Sequence, residues 1–268
     1  TWTTGFNIGF NRNRVLTTPT PEGFLQSSGG NGTVSQQVKV GQDIYSWYMP
    51  KWLGVDPGNG DPVWEKVVYD EHGRVTGRIP TNDYSEATNQ VVGVATPKFS
   101  GGVSTSLRVF NFTLSGVANF VYGNKIFNND RLTMDADGAF LTHNSVSLDN
   151  GLKWKRWEKP GDVATHPKAV AFGNKNSNAV SSRFLEDGSF FRIKNVTLAY
   201  DLPEKWVRKM RMQAMRIYVS GDNLATFTRF SGMDPEVDLQ GTEYTLAGMY
   251  STPYPVGRTF MFGVDLTF

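Results

Sequence analysis

The sequence predicts an all-β fold in which antiparallel strands build a transmembrane β-barrel. Three observations carry that prediction: two-faced strands at both ends of the chain, connections whose lengths alternate between long and short, and no apolar run long enough for a membrane helix. In residues 259–268, Phe260, Phe262, Val264, Leu266 and Phe268 fall on one side of a period-two strand, and Met261, Gly263, Asp265 and Thr267 on the other. Such an apolar face covers a core in a soluble sheet and meets lipid in a barrel, so the other strands decide. No segment approaches the roughly 18–20 apolar residues of a membrane helix, a test that does not touch barrels. Aromatic residues make up 13% of the chain and glycines number 28, which suits a turn-rich β class.

Taken in order, Trp2, Thr4, Phe6, Ile8 and Phe10 alternate with Thr1, Thr3, Gly5, Asn7 and Gly9 and repeat the closing pattern. Residues 11–33, rich in glycine and proline, read as a loop. A short strand over 34–40, a tight turn at Gly41, Gln42 and Asp43, and a strand over 44–53 with Tyr45, Trp47 and Tyr48 follow. The stretch up to Gly102 is turn-rich and charged, with one small hairpin, 63–69 and 75–79, around Glu71, His72 and Gly73. Residues 103–110 and 112–122 form the clearest hairpin, with a very short turn. Residues 123–189 show no sustained period and read as the longest loop. In the strand over 190–200 the alternation slips by one near Lys194 and Asn195, as at a β-bulge. The sequence DLPEKWVRKMRM then predicts a one- or two-turn helix, with Asp201 as N-cap or Pro203 in the first turn and basic residues toward its end. A strand over 214–223 and another long loop precede the last strand.

This gives eight strands, with connections that run long, short, long, short, long, medium, long. A soluble sandwich has no reason to gather every long connection at one end of its strands, whereas an outer-membrane barrel has short periplasmic turns and long extracellular loops. Within lipid only a closed barrel pairs every strand amide, so the eight strands either close on themselves or lack neighbours. The chain opens without an initiator methionine or a signal-like core, and Thr1 reads as an internal cut. Two rivals stand beside a larger barrel of which these strands are one part: an autonomous eight-stranded barrel, and a soluble carbohydrate-binding β-sandwich.

Composition narrows the chemistry. With 27 basic and 25 acidic residues, nothing in the net charge points to nucleic acid. The chain has no cysteine and only three histidines, His72, His143 and His166, and no catalytic triad, phosphate loop or carboxylate pair emerges from its spacings, so it reads as a non-enzyme with no cofactor and no metal. Trp47, Tyr48 and Trp52 read as an interfacial aromatic girdle rather than a sugar platform. Trp154 and Trp157, among Lys153, Lys155 and Arg156 in the longest loop, are the candidate ligand-binding residues, with anchoring of their own loop as the competing role. Asp56, Asn59 and Asp61 are spaced like part of a calcium loop but lack its closing glutamate, and read as a turn. Arg192 and Lys194 interrupt an apolar strand and are expected to face the lumen, because a basic side chain facing mid-membrane lipid costs roughly 2–4 kcal/mol.

Three segments, FLEDGSFFRIKNVTLAYDLPEKWV, MRIYVSGDNLATFTRFSGMDPEV and YPVGRTFMFGVDLTF, resemble in order and spacing the C-terminal end of SusC-like TonB-dependent transporters of the Bacteroidota outer membrane. KWLGVDPGNGDPVW and VGVATPKFSGGVSTSLRVFNFTLSGVANFVYGNKIFN extend the resemblance over most of residues 45–268. It implies that residues 1–268 are the C-terminal portion of a 22-stranded β-barrel domain whose plug and N-terminal strands lie elsewhere. It also implies TonB-dependent import of a glycan or oligopeptide, with a SusD-like surface lipoprotein as lid and TonB acting through the N-terminal part. Asp234, Pro235 and Glu236 match a family motif that shapes an outer loop. Phe262, Val264, Leu266 and Phe268 resemble the signal read by the barrel-assembly machinery.

Overall fold

A computed structural model describes residues 1–28, 33–140, 148, 153–236, 246–252, 254 and 256–268. Six strands form one continuous sheet: β1 (Trp2–Phe10), β2 (Phe99–Val109), β3 (Phe112–Tyr122), β4 (Phe190–Asp201), β5 (Ala214–Thr228) and β6 (Thr259–Thr267). Each pairs antiparallel with its neighbour in sequence, and β1 and β6 form the two open edges.

The register carries one chemistry across all six strands. Trp2, Leu107, Leu114, Leu198, Val219 and Phe262 stand in one row, and the next row on the other face is Thr3, Ser106, Ser115, Thr197, Ser220 and Met261. Directly opposed residues in an antiparallel ladder share a face, so the pattern seen in one strand becomes a property of the whole sheet. Phe10, Phe99 and Tyr122 pack at one end of the apolar face, with centroids 5.8 and 4.9 Å apart, and Phe112 meets Tyr200 at 4.6 Å at the other. The 11 residues of β2 and of β3, tilted as barrel strands are, span about 28 Å, close to the height of an outer-membrane apolar band. Phe262 is 84% and Phe268 78% exposed, so this face is not covered as a sandwich would cover it.

The sheet has six strands where the sequence pattern suggested eight. Residues 34–40 and 44–53 are not part of it: Ser35–Val38 and Ser46–Pro50 join Phe24–Ser27 and Asn89–Val94 in a separate four-stranded sheet. Val34, Trp47 and Met49 are buried there. Alternation alone does not tell an apolar face turned to lipid from one turned to a core, so the sequence pattern of these strands is the same as that of the wall. Removing two consecutive strands leaves the parity intact. The connections are now residues 11–98, 110–111, 123–189, 202–213 and 229–258, and all three long ones leave the same end of the sheet. The first, not 123–189, is the longest. It also holds the expected hairpin, Pro62–Tyr69 with Val75–Thr81, to which Trp52–Val55 adds a third strand.

The bulge lies at Lys194: Val117 pairs with Asn195 and Ala118 with Ile193, so Lys194 has no opposite number on β3. The helix α2 (Glu204–Lys209) follows, with Pro203 at its N-cap, while Asp201 stays in β4 and pairs with Arg108 at 3.1 Å. On the polar face Gly263 lies opposite Tyr218, and a Cβ there would sit 2.2 Å from the ring, so the tyrosine lies across the glycine.

The three long connections fold together as a cap. Lys125–Asn128 pairs antiparallel with Leu185–Asp187 and parallel with Met249–Tyr250, joining two of them in one small sheet. Val34, Trp47, Met49, Ala95, Phe127, Leu132 and Phe184 form the main hydrophobic cluster, with Leu246 and Met249 packed against it. The core of the chain therefore lies in the cap, and the wall has an apolar surface in place of one. In the full-length protein Leu114→Arg is expected to destabilise by on the order of 2 kcal/mol in denaturant unfolding from lipid vesicles, and the adjacent Ser115→Arg, on the polar face, by much less. Equal costs would contradict the assignment of faces.

Candidate functional site at the loop end of the sheet

The cap is organised by buried charges. Asn128 caps the short helix α1 (Asn129–Met134), accepting from the Arg131 amide at 3.1 Å, and Asp135 and Asp137 follow directly. Both aspartates are fully buried. Asp135 lies 2.9 Å from Arg131, 3.0 Å from Arg183 and 3.0 Å from His166, and Asp137 is paired with Arg156 at 2.8 Å, with Arg183, and with the Ser177 hydroxyl at 2.7 Å. Arg183 thus bridges two carboxylates from the other side of the 123–189 loop. Arg131 also reaches Glu186 at 3.0 Å, and Glu186 accepts from the Ser231 amide and hydroxyl at 2.7 Å, which ties the 229–258 loop into the same network. Burial alone would raise the Asp135 carboxyl. Its contact with His166 and the charges of Arg183 and Arg131 overcome this and hold it well below the usual carboxylate range.

Trp154 and Trp157 stand at this network's edge, both half-buried. The Arg131 guanidinium lies 4.3 Å from the Trp154 centroid, and the His166 ring is 4.9 Å from it. Trp154 lines a cleft of about 650 Å³ with Arg131, Lys153, Glu186, Asp187, Thr228 and Arg229. Trp157 donates its indole N–H to the Pro57 carbonyl at 3.0 Å and lies against Gly60, where a Cβ would be 2.5 Å from the ring and φ is +75°. The two tryptophans therefore face different parts of the cap.

Other candidates fall elsewhere. Trp47 and Trp52 are not girdle residues: Trp47 is fully buried against Phe127, and Trp52 packs edge-on to Trp64 with Arg183 over its ring. Tyr48 sits with Trp47 in the cap sheet. Their aromatic spacing reflects a core in the loops, and the aromatics at the rims of the apolar face are instead Phe10, Phe99, Tyr122, Phe112 and Tyr200. A side-chain carboxylate oxygen of Asp56 accepts from the Gly58 amide and the side-chain Oδ1 of Asn59 from the Asp61 amide, both at 2.8 Å, and Asp61 holds Lys168 at 2.9 Å and Lys175 at 2.7 Å, so this segment is an ion-paired turn. His143 lies outside the described residues.

At the root of the cap, Arg192 stands on the polar face of β4, in register with Asn119 and Thr226. It is buried, ion-paired with Asp234 and, at 2.7 Å, with Glu236, and Lys194 meets the same Glu236 oxygen at 2.8 Å. The Asp234–Glu236 motif is thus the point where the last loop is fastened to the wall. The Asp135–Asp137–Arg183 network gave no spacing signal in the sequence, because its members converge from separate segments. Its one local trace is the acidic run after Leu132.

Removing one partner of such a network leaves a buried charge uncompensated. Asp135→Asn is expected to cost about 3–5 kcal/mol and to show as faster hydrogen exchange in residues 123–189 while the wall stays protected. Because the folded-state value of Asp135 is depressed, its stabilisation is complete above the ordinary carboxylate pKa and is lost as pH falls through the folded value. The wild-type cap should therefore loosen only in strong acid, and the variant should lose that part of the acid dependence.

No family model matches the chain. TonB-dependent receptor P3 of Formosa agariphila is 29% identical over 279 residues, with 100% of this chain covered and 27% of that receptor. TonB-dependent receptor SusC of Bacteroides thetaiotaomicron is 26% identical over 283 residues, again with 100% of this chain and with 24% of that protein. The fold matches a solved structure of the RagAB peptide transporter with a TM-score of 0.68 at 22% identity, over 100% of this chain and 27% of that one. The RagAB importer in its open-open state gives a TM-score of 0.72. The chain spans about a quarter of the length of these relatives. Over its whole length the chain is thus similar to the C-terminal part of TonB-dependent receptors, SusC among them, and shares its fold with the RagAB transporter.

Proposed function

We propose that residues 1–268 are the C-terminal portion of the β-barrel domain of a transporter that imports a large nutrient, a glycan or an oligopeptide, across the outer membrane. TonB drives the import through a plug in another part of the protein, and a SusD-like lipoprotein covers the loop end. The observation that carries this reading is the continuous two-faced meander with every long connection at one end, matched over its full length by receptors about four times as long. The unpaired edges of β1 and β6 support it, since lipid offers strand amides no other partner than further strands. That RagAB is a peptide transporter supports a peptide as one of the two cargo classes, and the SusC relative supports a SusD-like partner.

In this reading the cap is a rigid, charged platform and does no covalent chemistry. Trp154 and Trp157 are the ligand-facing candidates, Trp154 through the cleft it lines. Phe262, Val264, Leu266 and Phe268, exposed on the apolar face at the edge of the sheet, are the signal for the barrel-assembly machinery. The basic test is uptake of labelled oligopeptides and glycan fragments by cells carrying the intact transporter, with TonB present and deleted. Uptake of one class that disappears without TonB is expected, and uptake indifferent to TonB would overturn the proposal. Trp154→Ala is expected to lower that uptake several-fold at unchanged surface level, and unchanged uptake would leave Trp154 only its packing role.

A further inference from the structure

We propose that the cleft beside Trp154 takes the carboxylate end of an extended oligopeptide, whose backbone adds to the free edge of the strand Leu185–Asp187 and whose C-terminal carboxylate lies at Lys153 and Arg229. The inference rests on the import reading above and chooses between its two cargo classes.

Leu185–Asp187 is an outer strand of its small sheet, paired on one side only, with Lys125–Asn128. The ladder decides which of its backbone groups face the open side. The Gly188 amide donates to the Asn124 carbonyl at 3.0 Å, so these two form a hydrogen-bonded pair. In an antiparallel ladder such pairs alternate with pairs whose N–H and C=O groups point away from each other, and Asp187 with Lys125 is the next pair along. Phe127 obeys the same alternation: its amide turns away from Leu185 to the Gly248 carbonyl at 3.2 Å. The N–H and C=O of Asp187 therefore face away from the sheet, and neither has a hydrogen-bond partner among the described residues. An amide and a carbonyl side by side on a strand edge are what an extended peptide pairs with, and an oligosaccharide has no alternating N–H and C=O to offer them.

Asp187 lines the cleft of about 650 Å³, and the charges there are unequally spent. Glu186 accepts from Arg131, Asn128 and Ser231. The Asp187 carboxylate accepts from the Ser189 amide at 3.1 Å and the Ser189 hydroxyl at 2.7 Å, and has Lys125 as its opposite number in the ladder. Arg131 is divided between Asp135 and Glu186. What remains is cationic. Lys153 and Arg229 are exposed, and neither makes a hydrogen bond or ion pair with the described residues. A guanidinium binds a carboxylate through two parallel N–H donors, and an ammonium adds a third without fixed direction. Trp154, half-buried on the same cleft, offers its ring to an apolar side chain carried next to that carboxylate.

The test is retention of a pool of random hexapeptides by the full-length protein in detergent, read by mass spectrometry after gel filtration, with heat-modifiable gel migration as the check on folding. The pool is offered with free C-termini, with amidated C-termini and with N-methylated backbones, beside oligouronates of matched charge. The wild type is expected to retain the free-acid pool about tenfold better than either modified pool, and better than the oligouronates. Lys153→Gln combined with Arg229→Gln should abolish the preference for a free carboxylate and keep the penalty for N-methylation, whereas Arg229→Lys keeps both. Should the double variant not fold, the two single variants carry the same comparison. Equal retention of free and amidated peptides by the wild type, a preference that survives in the glutamine variants, or oligouronates held as well as peptides would overturn the proposal. TonB-dependent uptake of glycans alone would sink this site and leave the import reading standing, while a carboxylate preference lost in the glutamine variants, beside uptake indifferent to TonB, would sink the import reading and not the site.

Discussion

Lipid gives a strand amide nothing to bond with, and the wall obeys this constraint throughout. Each of β2 to β5 is paired on both sides, and the pairing fixes a register that keeps directly opposed residues on one face of the sheet. The two faces follow from it. So does the connectivity, because a meander of neighbours joined in sequence order can be extended strand by strand until it closes.

The cap answers a different demand. Loops as long as residues 11–98 and 123–189 would lose their shape above a wall that offers them only a narrow rim. They hold one another by a small hydrophobic cluster around Trp47, Phe127 and Phe184 and by carboxylates buried with arginines. The charges can be afforded because each buried aspartate has more than one partner. Arg192 and Lys194 extend the same device to the wall. A basic pair that would be costly in lipid becomes, on the polar face, the fastening for Asp234 and Glu236.

The six wall strands were legible in the sequence, and of the cap little more than the hairpin Pro62–Tyr69 with Val75–Thr81. Period-two patterns at Trp2–Phe10, in the 103–122 hairpin and at residues 259–268 gave strands and faces, and the slip at Lys194 gave the bulge. Residues 34–53 show the same alternation, yet Trp47 faces a core, because hydrophobicity does not record what lies on the other side. The sites were harder still. Asp135, Asp137, Arg156 and Arg183 are unremarkable singly and meaningful only once the chain has brought them together. Trp154 and Trp157 could be picked out by type, but not the Arg131 and Gly60 contacts that place them.

The parallel pairing of Phe127 with Met249 joins segments separated by two of the six wall strands. Between them in sequence run β4 and β5, so the small sheet that locks the cap cannot form until both of those strands are threaded and both loops have reached the same side of the membrane. Assembly therefore has an order written into it. β4 and β5 come first and the small sheet last, so the finished small sheet reports that these two strands are in place.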